Sequence, residues 1–274
     1  MARVVVITGA SRGIGAAIAR RLARPASTLV LAARAGAGLE RTAAQLRQPE
    51  VRVVTVPGDV AREADREALV RAAEAEGPID VLVNNAGVEI ALGFQDQSAE
   101  EIERQLLVNL HAPLHLARRV LPAMLARRAG AIVFVSSMSG KSPTPYNSIY
   151  AASKHGLNGF VSSLRLELEG SGVQAGVVCP SFVAEAGMWA DTGVKAPALL
   201  REVPLERVVD GVLRVVAGEG EVLVTPGPIR PMLALADLWP GLGSRILRRL
   251  GVIDVLKERA RAAQARRAAP GTGA

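Results

Sequence analysis

The sequence "VVVITGASRGIGAAIARRL", residues 4–22, combines three patterns that together decide the fold. A β-branched run ends at residue 8, glycines follow at positions 9, 13 and 15, and the remainder has helical periodicity. A strand that enters a helix through such a turn presents bare backbone N–H groups at the helix N-terminus, where negative charge is favoured. The stretch therefore predicts the first βα unit of an α/β sheet, with a turn that fits a pyrophosphate.

The rest of the chain repeats this alternation of strand and helix. Helical periodicity marks residues 14–22, 62–76, 99–125 and 150–168, among others. Between such stretches lie short β-branched runs at residues 4–8, 28–33, 51–56, 79–84, 131–136, 174–179 and, more weakly, 221–225. Strands that are apolar on both faces and alternate with helices are typical of a parallel sheet covered on both sides. The pattern predicts a doubly wound α/β sheet.

We expect one domain over residues 1–230, with an amphipathic extension of the same domain over residues 231–274. The segment 180–203 is long and loop-like for its place in the pattern, which is typical of a lid. The tail 232–269 mixes apolar residues with arginine, and residues 265–274 are expected to fray. Three roles stay open for the tail: lying on a membrane surface, packing against a second subunit, or covering the active site.

Composition excludes several classes of function. The formal charge is +7, but the arginines are scattered and aromatic residues make up only 3%, so we expect no binding of nucleic acid. The single cysteine, Cys179, allows no internal disulfide and fits a reducing cytoplasm. The glycine turn comes too early for a secretory signal, and no run of about eighteen uncharged apolar residues predicts a membrane span.

Six short motifs occur in a characteristic order. They are "TGASRGIG" (8–15), "GDV" (58–60), "NNAG" (84–87), Asn109 in "LLVNLHAP", "IVFVSS" (132–137) and "YAASK" (150–154). Over roughly residues 1–230 the chain thereby resembles the short-chain dehydrogenase/reductase family. The resemblance implies a Rossmann-like catalytic domain of about seven parallel strands, a nicotinamide cofactor, a small carbonyl or alcohol substrate, and assembly as a homodimer or homotetramer.

The resemblance also assigns residues to the cofactor. Asp59 is expected near the adenine and Asn85 in the cofactor cleft. The full set of expected contacts is Gly9, Ser11, Arg12, Gly13, Ile14, Gly15, Arg34, Asp59, Val60, Asn85, Ala86, Gly87, Tyr150, Lys154, Pro180 and Val183. After the sixth strand the family usually has Pro-Gly and then a threonine that contacts the carboxamide. In this sequence Ser181 occupies the position of the glycine, and Glu185 occupies the position where the threonine is expected. Val183 is at its usual position, and its backbone could still contact the carboxamide.

The end of the second strand favours NADP over NAD. An NAD enzyme usually has a carboxylate there to accept hydrogen bonds from the adenine ribose. This strand ends "LAARAGAG", with no acid before Glu40, and Arg34 is expected where a 2′-phosphate would lie. Arg12 can approach the same phosphate from the glycine turn.

Tyr150 and Lys154 are the expected catalytic pair. They are four residues apart in a helical stretch, so they share one face. An ammonium roughly 5 Å away, at an effective dielectric of about 20, would lower the tyrosine pKa by about two units. A tyrosine tuned in this way can exchange a proton with a carbonyl oxygen. By resemblance, Ser137 hydrogen-bonds that oxygen, and Asn109 holds a water that links Lys154 to solvent.

Other candidates receive lesser roles. Tyr146 has no lysine four residues after it, so we assign it to the substrate pocket rather than to proton transfer. Met188 and Trp189 lie in the predicted lid and indicate an apolar substrate. His111 and His115 share a helix face, but no third ligand is evident and we expect no metal.

The sequence therefore predicts an NADP-dependent carbonyl reductase or alcohol dehydrogenase for a hydrophobic substrate. A nucleotide-binding regulator or scaffold without catalysis is one alternative. An enzyme of the same family that catalyses epimerisation or dehydration is the other.

Overall fold

The computed structural model describes residues 3–34, 36–184, 187–189 and 201–268. The strands are β1 (Arg3–Thr8), β2 (Ser27–Ala33), β3 (Val51–Pro57), β4 (Ile79–Asn84), β5 (Gly130–Val135), β6 (Val173–Pro180) and β7 (Glu221–Val224). The helices are α1 (Gly13–Leu22), α2 (Gly36–Leu46), α3 (Glu63–Glu74), α4 (Ala99–Leu106), α5 (Ala112–Ala126), α6 (Ser148–Glu167), α7 (Leu205–Val216), α8 (Arg230–Leu238), α9 (Pro240–Arg249) and α10 (Val252–Ala268).

Within the described residues, seven parallel strands form one sheet in the order β3-β2-β1-β4-β5-β6-β7. This confirms the predicted Rossmann-like, doubly wound fold. Alternate residues of β1 point to opposite faces, so Val5 and Ile7 belong to one hydrophobic core and Val4 and Val6 to the other. The strand order reverses between β1 and β4, and ligands of such sheets bind at the carboxyl ends of the strands at this point.

The predicted helix over residues 99–125 is interrupted in the structure. Helix α4 ends at Leu106, a π-helical turn spans Leu107–His111, and α5 begins at Ala112. The Ala112 N–H donates to the carbonyl of Leu107, five residues back. Pro113 has no N–H and therefore cannot continue the regular hydrogen-bond ladder. The wider turn contains Asn109, and π-helical turns of this kind often occur at functional sites.

The C-terminal tail covers the carboxyl edge of the sheet. Val252 and Leu256 of α10 are buried in one cluster with Trp189. These three residues, together with Met232 and Leu233 of α8, line a cavity at this edge of the sheet. Of the three roles left open by the sequence, covering the predicted active site is compatible with these contacts, and the roles in subunit and membrane contact stay predictions. Among the described helices, none is long and apolar enough to cross a membrane. Part of the predicted lid (185–186 and 190–200) and of the expected frayed end (269–274) lies outside the described residues.

Candidate active site

The glycine turn fits closely against the segment that follows β4. Gly9 and Gly13 have φ values of 69° and 58°, in the left-handed region that favours glycine. A Cβ on Gly15 would lie 2.2 Å from the carbonyl oxygen of Gly9. A Cβ on Gly9 would lie 2.9 Å from the Cα of Ala86. Gly9 and Gly15 thus leave room for the backbone contact that shapes the cleft.

Thr8 joins the two sides of this cleft. Its buried hydroxyl accepts hydrogen bonds from the backbone N–H groups of Asn85 and Ala86, both at 3.0 Å. The side chain of Asn85 donates in return to the carbonyls of Thr8 and Gly9, at 3.0 and 3.3 Å. Sequence reasoning assigned Asn85 and Ala86 to the cleft but missed Thr8, although it is the polar residue at the end of an otherwise apolar strand.

Asp59, which the resemblance predicts to lie near the adenine, is held by two hydrogen bonds. Its carboxylate accepts from the N–H of Ala61 at 3.0 Å and from Arg104 at 2.7 Å. Partial burial favours the neutral acid, but the bond from Ala61 and the Arg104 guanidinium together hold the pKa of Asp59 below its usual value, and Arg34 adds to this effect. Arg34 therefore lies within electrostatic reach of Asp59. Arg104 was not predicted, because it comes from α4, 45 residues further along the chain.

The other predicted cofactor residues lie around the same cleft. Arg12 is exposed immediately before α1, and the carbonyl of Ser11 accepts a hydrogen bond from Thr42 at 3.3 Å. Val60 is buried in a small apolar cluster with Val108 and Ala112. Ile14, Asn85, Gly87, Pro180 and Val183 line one continuous cavity that also contains the predicted catalytic residues.

The cavity has a volume of about 370 Å³, and Ser137, Tyr150 and Lys154 all line it. Ser137 lies two residues after the end of β5, whereas Tyr150 and Lys154 lie on successive turns of α6. The Lys154 ammonium lies 5.5 Å from the centre of the Tyr150 ring and donates to the carbonyl of Val135 at 2.9 Å. The structure thus brings together the serine, tyrosine and lysine from two separate segments.

The predicted lowering of the Tyr150 pKa is wrong for this structure. Burial raises the pKa of Tyr150 above its ordinary value, and the nearby Glu89 carboxylate acts in the same direction. A hydrogen bond with Ser137 and the charge of Arg259 oppose this shift only in part. Burial also lowers the pKa of Lys154 to about 8. The sequence argument considered only the attraction between the pair and omitted the desolvation of both groups.

Asn109 is buried in the π-helical turn and does not contact Lys154 directly. Its side-chain oxygen accepts from the N–H of Val88 and its nitrogen donates to the carbonyl of Val88, both at 2.8 Å. The nitrogen also donates to the hydroxyl of Ser153 at 3.3 Å. Asn109 therefore fixes the segment after β4 against α6, next to Lys154.

The family model described as short chain dehydrogenase matches residues 3–195 of this chain. The chain belongs to this family. Its members are oxidoreductases, which agrees with the motifs and with the sheet topology. A ketoacyl reductase from Nostoc sp. is 39% identical over 265 residues, which cover 94% of this chain and 92% of the relative.

Solved structures of the family share the fold. A short-chain dehydrogenase from Sphingobium yanoikuyae in complex with NADPH is 34% identical with a TM-score of 0.76, covering 88% of this chain and 95% of that chain. The actinorhodin polyketide ketoreductase with NADPH is 32% identical with a TM-score of 0.75, covering 82% of this chain and 97% of that chain.

The wall of the cavity is mostly apolar. Met188 and Trp189 line it, and Phe182 packs on Trp189 with 4.2 Å between the ring centres. Further apolar side chains come from the loop after β5 and from the tail, among them Met138, Met232 and Leu256.

Tyr146 is not among the residues that line this cavity. It adopts a φ of 60° in the turn before α6 and packs against the cluster formed by Trp189, Val252 and Leu256. The predicted place of Tyr146 in the substrate pocket is therefore not supported by its position.

The segment after β6 departs from the family pattern at one described position. Ser181 lines the cavity, and its backbone N–H donates to the carbonyl of Val224 at 2.9 Å. Its hydroxyl oxygen is buried without a hydrogen-bond partner among the described residues. Val183 is held by a β-bridge to Val203. Glu185, which replaces the usual threonine, lies outside the described residues.

The two helical histidines form no metal centre with other residues that the structure describes. The rings of His111 and His115 are stacked with their centres 6.0 Å apart. His115 accepts from Arg66 at 3.2 Å and lies 3.2 Å from a carboxylate oxygen of Glu63. Burial and the Arg66 charge lower the pKa of His115, and its contacts with Arg66 and Glu63 make it part of a polar network between α3 and α5.

Two charged residues of the cavity wall were not predicted from the sequence. Glu89, after β4, and Arg259, in α10, form a bidentate ion pair with both contacts at 2.7 Å, and both line the cavity. They are 170 residues apart, so no local pattern could have paired them.

We expect Thr8→Val to lower the free energy of unfolding by about 2 to 4 kcal/mol, because it leaves two buried N–H groups without an acceptor at unchanged volume. Thr8→Ser keeps the hydroxyl and is expected to cost about 1 kcal/mol for the lost methyl group. Urea unfolding of the three proteins measures the difference. Equal losses in both variants would contradict the proposed role of the hydroxyl.

Proposed function

We propose that this dehydrogenase transfers a hydride between NADP(H) and the carbonyl or secondary alcohol of a hydrophobic substrate. The observation that carries the proposal is the position of Ser137, Tyr150 and Lys154 in a cavity whose wall is mostly apolar. A substrate oxygen placed between the two hydroxyl groups would leave the rest of the molecule against Met188 and Trp189. The names of the ketoacyl reductase from Nostoc sp. and of the polyketide ketoreductase support a ketone on an acyl chain.

The residues of the cleft fit a nicotinamide dinucleotide. The space next to Gly9 and Gly15 is too tight for side chains and leaves bare backbone at the N-terminus of α1, as a pyrophosphate requires. The unpaired hydroxyl of Ser181 and the backbone of Val183 are suited to a carboxamide, in place of the missing threonine. Arg34 and Arg12 would hold a 2′-phosphate, and the relatives solved with NADPH support this preference.

When bound, the cofactor supplies or accepts the hydride. Residues of this chain donate or accept the proton. The pKa of Tyr150 is raised, so its phenol keeps its proton at neutral pH and can donate it from Oη to a carbonyl oxygen. The Ser137 hydroxyl donates a hydrogen bond to the same oxygen and positions it.

Lys154 is suited to restoring that proton. Its pKa of about 8 makes the ammonium able to exchange a proton near neutral pH. Asn109 holds the segment after β4 next to Lys154 through its side-chain hydrogen bonds, and the relay water implied by the resemblance would have to bind beside these bonds. The buried Trp189 would help to exclude water from the cavity.

Two alternative functions can be distinguished experimentally from the proposed oxidoreductase. A regulator or scaffold would bind NADPH without turning over any carbonyl compound, and the presence of Ser137, Tyr150 and Lys154 in one cavity argues against it. An epimerase or dehydratase would use the bound nucleotide without its net oxidation.

The experiment that tests the function is NADPH oxidation with aldehydes and ketones of graded chain length, for wild type and for Tyr150→Phe. We expect kcat/KM to rise with chain length and Tyr150→Phe to lower kcat at least about a hundredfold with little change in NADPH affinity. Tyr146→Phe is the matched control and is expected to stay close to wild type. If Tyr150→Phe kept turnover within about tenfold, the assignment would fail.

We expect Arg34→Ala to weaken NADPH binding by about tenfold to a hundredfold and to leave NADH binding nearly unchanged, because only NADPH has the 2′-phosphate. Arg34→Asp is expected to go further and to favour NADH. Titration of both nucleotides measures this, with Arg20→Ala, exposed at the far end of α1, as the control. Equal loss for both nucleotides would make Arg34 an ordinary surface residue.

We also propose a homodimer or homotetramer whose contact includes the exposed Leu235, Leu238 and Trp239 of the α8 region. Arg245 and Arg248 of α9 lie close by in sequence, so contact with an anionic membrane is the alternative. Light scattering is expected to show an oligomer that Leu238→Glu weakens. A monomer that cosediments with anionic vesicles through Leu238 would instead support the membrane contact.

We further propose a reducing cytoplasm as the compartment, because the single cysteine, Cys179, allows no internal disulfide. Cell fractionation tests this.

A further inference from the structure

The ion pair between Glu89 and Arg259 connects the segment after β4 to the C-terminal helix α10. Both guanidinium–carboxylate contacts measure 2.7 Å, and the two side chains are only 9% and 8% exposed. A bidentate pair at this depth fixes both the position and the rotation of the helix that carries the arginine. The pair therefore attaches helix α10 to the segment after β4 at a buried point, in addition to the apolar packing of Val252 and Leu256.

Neighbouring side chains hold each member of the pair. Asn147, buried just before α6, donates to the Glu89 carboxylate. The Arg259 guanidinium lies 5.4 Å from the ring centre of Trp189, in the range of a cation–π contact. Since Trp189 is also packed against Val252 and Leu256, the arginine links the tail, the cavity wall and the segment after β4.

Stability alone does not explain a buried pair of this kind. Removing two charges from water is costly, and well-packed apolar residues in their place are often neutral or stabilising. Loss of only one partner is harmful, because it leaves an uncompensated charge in the interior. The position of the pair in the wall of the catalytic cavity indicates another role.

Both charges act on Tyr150. Glu89 disfavours the phenolate and Arg259 favours it, so the two effects oppose each other. The other groups that face the phenol are Ser137 after β5, Cys179 at the end of β6 and Lys154 on α6. Among all the groups named here that act on the phenol, Arg259 is the one that belongs to the C-terminal tail.

We propose that the Glu89–Arg259 pair makes helix α10 a part of the catalytic centre, by locking it over the substrate cavity and by balancing the charge beside Tyr150. Both members are positioning residues, since they act through the phenol and through the cavity wall. The inference deepens the proposed carbonyl–alcohol chemistry and rests on it for its kinetic test.

The proposal predicts opposite effects for the two single variants in alcohol oxidation with NADP⁺, where Tyr150 must be deprotonated. Arg259→Met leaves the Glu89 carboxylate uncompensated, so phenolate forms less readily and the rise of kcat moves to higher pH. Glu89→Gln leaves the Arg259 cation uncompensated, so the rise moves to lower pH. At a fixed pH where kcat of wild type still rises with pH, we expect kcat to fall about tenfold in Arg259→Met and to rise about tenfold in Glu89→Gln.

The double variant Glu89→Gln/Arg259→Met and the control Arg267→Met complete the kinetic test. The double variant removes both charges and is expected to return the pH profile close to that of wild type. It also covers the case in which a single variant with an unpaired buried charge fails to fold. Arg267 lies on the same helix but pairs with Glu101 in an exposed contact, so its variant is expected to match wild type.

Limited proteolysis tests the attachment of α10 without any turnover. We expect both single variants to be cut by trypsin at Arg261 at least about tenfold faster than wild type and Arg267→Met, while NADPH affinity stays nearly unchanged. Unchanged cleavage, or pH profiles of the single variants that shift in the same direction, would overturn the inference. A different result would separate the two proposals. If wild type turned over no carbonyl or alcohol, but the single variants were still cut faster than wild type, the proposed function would be rejected and the attachment of α10 would be retained.

Discussion

The backbone contact between the glycine turn after β1 and the segment after β4 is the constraint on which the cleft depends. These segments can approach because Gly9 and Gly15 have no side chains, and Thr8 and Asn85 then join them by reciprocal hydrogen bonds. The contact lies where the strand order of the sheet reverses. It therefore places the glycine turn, which fits a pyrophosphate, next to the residues that follow β4. Asn109 extends the same connection to α6 through Val88 and Ser153.

Desolvation is the second physical factor, and it sets the direction of the pKa shifts of the candidate catalytic residues Tyr150 and Lys154. Burial raises the proton affinity of Tyr150 and lowers that of Lys154. Each shift favours the uncharged form of its group, as expected in a medium of low polarity. The remaining charges of the cavity therefore have a large influence, and the buried pair of Glu89 and Arg259 gives the tail a direct electrostatic connection to the phenol.

The differences between prediction and structure have the same origin. The periodicity of residues 99–125 correctly indicated helix, but it could not show that Pro113 would force a wider turn at Asn109. The spacing of Tyr150 and Lys154 correctly placed them together, but the direction of the tyrosine shift depends on burial. Tyr146 was assigned to the pocket from its place in the sequence, whereas its left-handed backbone directs it to the tail cluster.

The sequence by itself determined the sheet, the glycine turn and the shared helix face of the candidate residues Tyr150 and Lys154. These features depend on short-range patterns: the alternation of β-branched strands with helices, the absence of side chains at Gly9 and Gly15, and the four-residue spacing on α6. Only the tertiary structure decided that the tail lines the cavity, that Arg104 pairs with Asp59, and that Arg259 pairs with Glu89. Such contacts join residues far apart in the chain, and their strength depends on how much water the folded protein excludes around them, which no local pattern contains.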